Sequence, residues 1–146
     1  MPLLLANLAA TGMLIGLIWT IQLVHYPLFA AVGPAAWPTY AAAHGRRVTV
    51  LVLPWMLLEL GTAVALLRWR PALLTAPEAW LGAALVAVLW LSTGLVQGPA
   101  FTRLAAAWDP ALHRRLVGTN WVRTAAWTLR GVLLLRVAAR AFLPAA

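Results

Sequence analysis

The sequence has 146 residues, of which 64% are hydrophobic and 10% are charged, and its formal net charge is +8. A chain of this length forms one domain, and its composition is that of a membrane protein rather than a soluble one. The 11 basic residues are all arginines spread along the chain, unlike the clustered basic surface of a nucleic-acid-binding protein. Cysteine is absent, which excludes disulfides and thiolate metal sites.

Four stretches of the sequence are apolar and long enough, or nearly so, to cross the hydrocarbon layer of a bilayer, which requires about 20 helical residues. We therefore predict an all-α polytopic membrane protein, with residues 1–146 forming a single four-transmembrane-helix bundle. The apolar stretches are residues 3–23, 48–67, 79–96 and 116–138.

The first two helices are bounded by glycine and proline. Gly33-Pro34 ends a first helix predicted over about 2–31. Trp37-Pro38 suits a helix start, because proline is favoured in the first turn, and predicts a second helix over about 38–70. At 1.5 Å per residue this helix is about 50 Å long. It therefore extends beyond the bilayer on one side.

The last two helices follow the same rules. A third helix is predicted over about 77–98, where Gly98-Pro99 ends it. Asp109-Pro110 combines an N-cap acid with a first-turn proline and predicts a fourth helix over about 110–140, which also begins outside the bilayer.

Loops 1–2 and 3–4 have slightly more arginines near them than the opposite side. The positive-inside rule then places these loops in the cytoplasm, with the protein in the cell (inner) membrane.

Each predicted helix carries polar residues on one face. Polar groups that face lipid are costly, so we expect these faces to turn inward and meet. In chain order the faces hold Asn7, Thr11, Gln22 and His25; His44, Trp55, Glu59 and Thr62; Thr93 and Gln97; and Asn120, Arg123, Trp127 and Arg130.

Glu59 is the most informative single residue, because an unpaired carboxylate in the middle of a bilayer is strongly unfavourable. Arg123 and Arg130 of the fourth helix bracket its depth. Two interpretations are open. Glu59 is a proton carrier, metal ligand or substrate anchor, or it forms a structural ion pair with Arg123 or Arg130 that fixes helix packing.

The three histidines, His25, His44 and His113, all lie toward loops 1–2 and 3–4. Imidazole ligates metals and haem, but no helix has two histidines at ligand spacing. A haem, a metal held by His25 and His44, and no cofactor at all are equally compatible with the sequence. We expect His25, beside Gln22 and Tyr26, to be the most buried histidine and His113 to face solvent.

The C-terminal third of the sequence resembles a known family. Residues 98–104 (GPAFTRL) and 120–124 (NWVRT) resemble the anthrone oxygenase-like family of small four-helix membrane proteins, and Tyr26-Pro27 is similar in placement. The resemblance implies oxidation of polycyclic phenolic substrates without an obvious cofactor. The second helix, with His44 and Glu59, matches no pattern of that family.

The first functional hypothesis is a small membrane redox enzyme or oxygenase acting on an apolar aromatic or quinone-like ligand. His25 would exchange protons while Asn120 and Arg123 stabilise a developing oxyanion. Trp55 and Trp127 are deep enough to line a pocket for a flat ligand, although core packing also accounts for them. The predicted ligand-binding residues are Gln22, Tyr26, Trp55, Glu59, Gln97 and Trp127.

Two other functions are compatible with the sequence. In one, the bundle is a transporter or proton pathway in which Glu59 titrates. In the other, it is a non-catalytic assembly or binding subunit, and Gly12-x-x-x-Gly16 provides a homodimer face. The expected partners are the lipid bilayer, an apolar small molecule and a second copy of the chain, and not a nucleic acid.

Overall fold

A computed structural model describes residues 1–142. These residues contain no β-strand, so the prediction of an all-helical chain is confirmed. They form α1 (Pro2–Ala31), α2 (Trp37–Arg68), α3 (Ala76–Ala106) and α4 (Pro110–Ala139).

Three of these helices, α1, α2 and α3, are long and apolar enough to cross a membrane. Helix α4 is as long, but Asn120, Arg123 and Arg130 lower its mean hydropathy. All three of these side chains are buried inside the protein. Each helix packs against the next in the chain, and α4 packs back against α1 to close the bundle.

Helix α1 contains a π-helical turn at Ile21–His25, and α3 contains one at Ser92–Gln97. Each π turn ends two residues before a proline, Pro27 or Pro99. Proline lacks an N–H and its ring crowds the preceding turn, and a widened turn accommodates both effects. Helix α3 therefore continues through Pro99 to Ala106, and the prediction that the third helix ends at residue 98 is wrong.

Polar contacts fix the helix ends. Asp109 caps α4 by accepting hydrogen bonds from the N–H groups of Ala111 and Leu112, at 2.7 and 3.2 Å. Beyond α4, Arg140 forms an ion pair with Glu78 at 2.6 Å. The hydrogen bond from Arg140 holds the pKa of the Glu78 carboxyl at about 2. This pair ties the end of α4 to the first turn of α3, outside the apolar stretch 79–96.

Candidate functional site

A buried cluster of polar side chains joins the helices in the middle of the bundle. Arg130 donates from Nε to Oε1 of Glu59 at 3.0 Å, and the Thr11 hydroxyl donates to the same oxygen at 2.7 Å. The indole N–H of Trp127 donates to Oε2 of Glu59 at 3.0 Å. Asn7 completes this set of five, which we call the ion-pair cluster, and none of the five is more than 1% exposed.

The remaining hydrogen bonds of the ion-pair cluster reach the other elements. Arg130 donates from one terminal nitrogen to the carbonyl of Gly82 in α3, and from the other to Oδ1 of Asn7 at 2.7 Å. The amide of Asn7 donates to the Thr62 hydroxyl at 2.7 Å. All four helices thus contribute, and both charges are hydrogen-bonded. Glu59 forms its ion pair with Arg130, whereas Arg123 belongs to a different part of the bundle.

A cavity of about 210 Å³ lies between the ion-pair cluster and the loops that join α1 to α2 and α3 to α4. Its walls are mostly apolar, with polar groups contributed by all four helices. We call it the arginine cavity, after Arg123. Its polar lining residues are Tyr26, His44, Thr49, Thr93, Gln97 and Arg123.

Three buried polar atoms that belong to lining residues of the arginine cavity have no hydrogen-bond partner among the described residues. They are Oγ1 of Thr93, Oε1 of Gln97 and Nε of Arg123. Gln97 is 2% exposed and Arg123 is 6% exposed. Buried polar groups in folded proteins are almost always paired, so three unpaired atoms on lining residues of one cavity make it the candidate site for a polar ligand or ordered water.

The orientation of Gln97 follows from its neighbour. Its amide nitrogen lies 2.8 Å from the Thr119 hydroxyl, and that hydroxyl donates its proton to the Arg115 carbonyl at 2.8 Å. The Thr119 oxygen therefore accepts from Gln97, and the nitrogen of Gln97 is fixed as the donor. The unpaired Oε1 of Gln97 is consequently an acceptor without a donor.

A chain of side chains holds Arg123 from behind. Arg123 donates from a terminal nitrogen to Oδ1 of Asn120 at 3.1 Å, and Asn120 donates to Oε1 of Gln22 at 2.9 Å. Gln22 donates to the Val117 carbonyl at 3.2 Å. The Tyr26 hydroxyl lies beside the guanidinium. These contacts connect the π turn of α1 to α4, and Nε of Arg123 has no partner among the described residues.

The histidines are not placed as expected. His25 is exposed, while His113 is only 8% exposed and donates from Nε2 to the Tyr26 carbonyl at 2.7 Å. The expectations that His25 is the most buried histidine and that His113 faces solvent are both wrong. For His25 the cause is the π turn of α1, which turns Tyr26 inward instead of His25, its last residue.

His44 lies between the arginine cavity and an outer groove. It lines both, and the groove is also lined by His25, Tyr40 and Arg47. The rings of His25 and His44 are 5.4 Å apart and nearly perpendicular. Residues 1–142 contain no group of three or more His, Cys, Asp or Glu side chains placed to hold a metal ion. The proposed metal site thus has two protein ligands, His25 and His44, and stays a prediction.

The other predicted site residues divide among four places. Tyr26 and Gln97 line the arginine cavity, whereas Gln22 and Asn120 lie behind Arg123. Glu59 and Trp127 belong to the ion-pair cluster. Trp55 lies on a separate outer groove beside Arg46 and Arg47.

Sequence reasoning did not find the two π turns that shape the site. The available signal is a glutamine followed within five residues by a proline inside an apolar helix, at Gln22 and Pro27 and again at Gln97 and Pro99. This pattern indicates a π turn, at which the buried face of the helix changes direction. π turns are frequent at functional sites.

No protein-family model matches the sequence, and neither a curated protein nor a solved structure is detectably similar to it. The resemblance to the anthrone oxygenase-like family thus stays an expectation that depends on residues 98–104 and 120–124. Three residues of the second segment, Asn120, Arg123 and Thr124, are buried at or directly behind the arginine cavity.

Proposed function

We propose that the protein is a multi-pass membrane protein that binds an apolar aromatic or quinone-like molecule in the arginine cavity and acts as a redox enzyme or oxygenase, oxidising ligands that have a reduced ring. The observation that carries this proposal is the buried guanidinium of Arg123. Its Nε has no partner, and Arg123 lines a largely apolar cavity together with Thr93 and Gln97, whose side-chain oxygens are also unpaired.

The outer surface supports insertion of all four helices. Large apolar side chains point outward on each helix, including Val50 at 77% exposed, Leu95 at 72% and Leu129 at 60%. A soluble monomer rarely exposes so much contiguous apolar surface. On α4 apolar side chains such as Val122 and Leu129 are exposed, whereas Asn120, Arg123 and Arg130 are buried, which suits a helix with lipid on one side. We keep the cytoplasmic placement of loops 1–2 and 3–4 as part of this proposal.

The position of the cavity mouth supports access from the bilayer. Thr49 and Leu53 of α2 and Gly98 of α3 line the cavity and are themselves exposed, so the opening lies between α2 and α3. At about 210 Å³ the cavity is smaller than common ligand pockets of about 300–1,000 Å³. It accommodates a small ring system, and an attached hydrocarbon tail would remain in lipid.

The proposed chemistry uses Arg123 and His44, which line the cavity, and Asn120 and His25, which lie next to them. The ligand loses a proton, and Arg123 stabilises the resulting oxyanion while Asn120 holds the guanidinium in place. His44 accepts the proton and passes it to His25, which exchanges it with water. Dioxygen then oxidises the electron-rich ring. A ring CH₂ becomes a carbonyl, and one oxygen atom of O₂ enters the product. The other oxygen atom leaves as water, which takes the second hydrogen of the CH₂ and a proton returned through His25 and His44.

The hydrogen bonds of Glu59 support a structural role rather than a proton pathway. Its carboxylate accepts from Thr11, Trp127 and Arg130, so no oxygen is left without a donor. Protonation would disrupt a buried pair instead of completing a relay. A separate assembly role through Gly12 and Gly16 stays a prediction from the sequence.

The test is turnover and binding by protein purified in lipid nanodiscs. We expect anthrone to be converted to anthraquinone, with oxygen consumed in equal amount. Arg123→Gln should lower turnover by about 100-fold, because one stabilising donor of the oxyanion is lost. Arg136→Gln is the matched control, since Arg136 is an exposed arginine of the same helix. An Arg123→Gln variant as active as the wild type, or no binding of anthrone or decylubiquinone, would contradict the proposal.

An ultraviolet–visible spectrum and elemental analysis of the same preparation test the cofactor. A Soret band or stoichiometric metal would make His25 and His44 the first residues to replace. A spectrum without either would favour the cofactor-free oxidation. His44→Asn should then slow proton transfer and turnover while leaving ligand affinity nearly unchanged.

A further inference from the structure

We infer that the arginine cavity takes its ligand as an organic anion, with an ionised oxygen that faces Arg123 and a neighbouring hydroxyl that donates to Gln97. The inference rests on the proposed function, because it names the charge state and polar pattern of the ligand of that same site. It concerns the ground state of the bound ligand, before any oxidation.

The distribution of carboxylates is the first support. The sequence has three acidic residues. Glu59 pairs with Arg130, Glu78 pairs with Arg140, and Asp109 caps the start of α4. Arg123 is more deeply buried than the paired Arg140, yet none of these carboxylates forms an ion pair with it.

The neighbours of Arg123 are neutral or aromatic. They are the amide of Asn120, the hydroxyl of Tyr26 and the ring face of Trp127. The other titratable side chains that line the cavity are Tyr26 and His44, so no lining residue carries a carboxylate. Burial of a charge without a counter-charge is unfavourable, and an anionic ligand would supply the missing charge. A neutral ligand would leave the positive charge of Arg123 uncompensated.

The unpaired atoms add a pattern to the charge. Nε of Arg123 is a donor and requires an acceptor, whereas Oε1 of Gln97 is an acceptor and requires a donor. The Thr93 hydroxyl suits either partner. A ligand with one oxyanion and one hydroxyl on the same ring system satisfies both the Nε donor of Arg123 and the Oε1 acceptor of Gln97. Monoanions of hydroxylated polycyclic phenols and of hydroxyquinones have this pattern.

The experiment compares two probes that share a ring system. 2-Hydroxy-1,4-naphthoquinone is an anion at neutral pH, and its 2-methyl ether is neutral. Affinity is measured in nanodiscs of zwitterionic lipid and corrected for partition into protein-free nanodiscs. We expect the anion to bind the wild-type protein about tenfold or more tightly, since charge-assisted hydrogen bonds discriminate strongly against neutral partners. Decanoate serves as a third probe, with a charge but no ring.

The variants separate the site from the membrane surface. Arg123→Gln should reduce the ratio of the two affinities toward unity, and Arg115→Gln should keep it, because Arg115 is an exposed arginine of the same helix. If Arg123→Gln does not yield folded protein, the wild-type ratio is itself decisive. Gln97→Leu then provides the second test, with weaker binding of a dihydroxylated probe expected.

The outcomes distinguish this inference from the proposed function. Equal affinity of the wild type for the two naphthoquinones would overturn the inference but would still agree with the proposal of an aromatic ligand. Binding of decanoate without either naphthoquinone would support the anion site and overturn the aromatic class. Failure of all three probes to bind would overturn both.

Discussion

The guanidinium of Arg123 lies over the indole ring of Trp127, 5.2 Å from its centroid. The same indole donates its N–H to Glu59, at 3.0 Å, and so belongs to the ion-pair cluster. Trp127 is therefore the direct physical connection between that cluster and the arginine cavity. Its ring face attracts the cation through its quadrupole, while its edge is held in place by the carboxylate.

Substitution of Trp127 should separate these two contacts. Trp127→Phe keeps an aromatic face under Arg123 but removes the hydrogen bond to Glu59, and should lower the free energy of unfolding by about 1.5–3 kcal/mol. Trp127→Leu removes both contacts and should also weaken binding of 2-hydroxy-1,4-naphthoquinone. Thermal unfolding and nanodisc binding measure the two effects. Equal loss of binding in both variants would show that the ring face does not position Arg123.

Breaking the central ion pair should be far more costly than breaking the one at the helix ends. Glu59→Gln leaves Arg130 buried without its counter-charge and should lower the free energy of unfolding by about 3–5 kcal/mol. Glu78→Gln, at the partly exposed pair with Arg140, should cost at most about 1 kcal/mol. The double variant Glu59→Met with Arg130→Met should be more stable than Glu59→Gln. Similar losses for the two single variants would contradict a structural role for Glu59.

Gly82 should not tolerate a side chain. A Cβ there would lie 3.0 Å from a terminal nitrogen of Arg130, the atom that donates to the Gly82 carbonyl. At Gly12 a Cβ would meet nothing within 4 Å. Alanine favours a helix over glycine by about 1 kcal/mol, so Gly12→Ala should be neutral or stabilising. Gly82→Ala should unfold at a lower temperature than Gly12→Ala, and the reverse order would contradict this packing.

The pair formed by Glu78 and Arg140 should make the stability of the folded protein depend on pH in the acidic range. The pKa of Glu78 is lowered from 4.5 to about 2, so the folded state favours the ionised carboxyl. Its contribution is complete above the unfolded pKa of 4.5 and is lost as the pH falls toward about 2. The unfolding temperature should therefore fall across this window, and less steeply in Arg140→Gln. An identical acid response in both proteins would exclude this pair as its source.

Much of the architecture could be predicted from the spacing of residues. Length and apolar composition predict the helices, and the one-sided placement of polar residues predicts which helix faces meet. Glu59 and Arg130 lie on two such faces. The sequence could not choose between Arg130 and Arg123 as the partner of Glu59, because the two arginines bracket the same depth on one helix.

The residue that faces inward near the end of the first apolar stretch could not be predicted, because it depends on a π turn. A uniform helix would keep Asn7, Thr11, Gln22 and His25 on one face. The turn at Ile21–His25 keeps Gln22 on that face, where Asn120 donates to it, but buries Tyr26 and leaves His25 outside. A periodicity with a constant angle per residue does not predict such a change of the buried face.

The two π turns also suggest how this architecture is free to change during evolution. A π turn is equivalent to one residue inserted into an α-helix, and an α-helix rotates by about 100° per residue. Loss of a single codon within Ile21–His25 or Ser92–Gln97 would thus re-aim the lining of the cavity relative to the rest of the helix. The ion-pair cluster lies before the π turn on α1 and before the π turn on α3, so it would keep its register. The lining of the cavity and the ion-pair cluster that joins the helices are in this way separable by an insertion or deletion of one residue, without any substitution in the core.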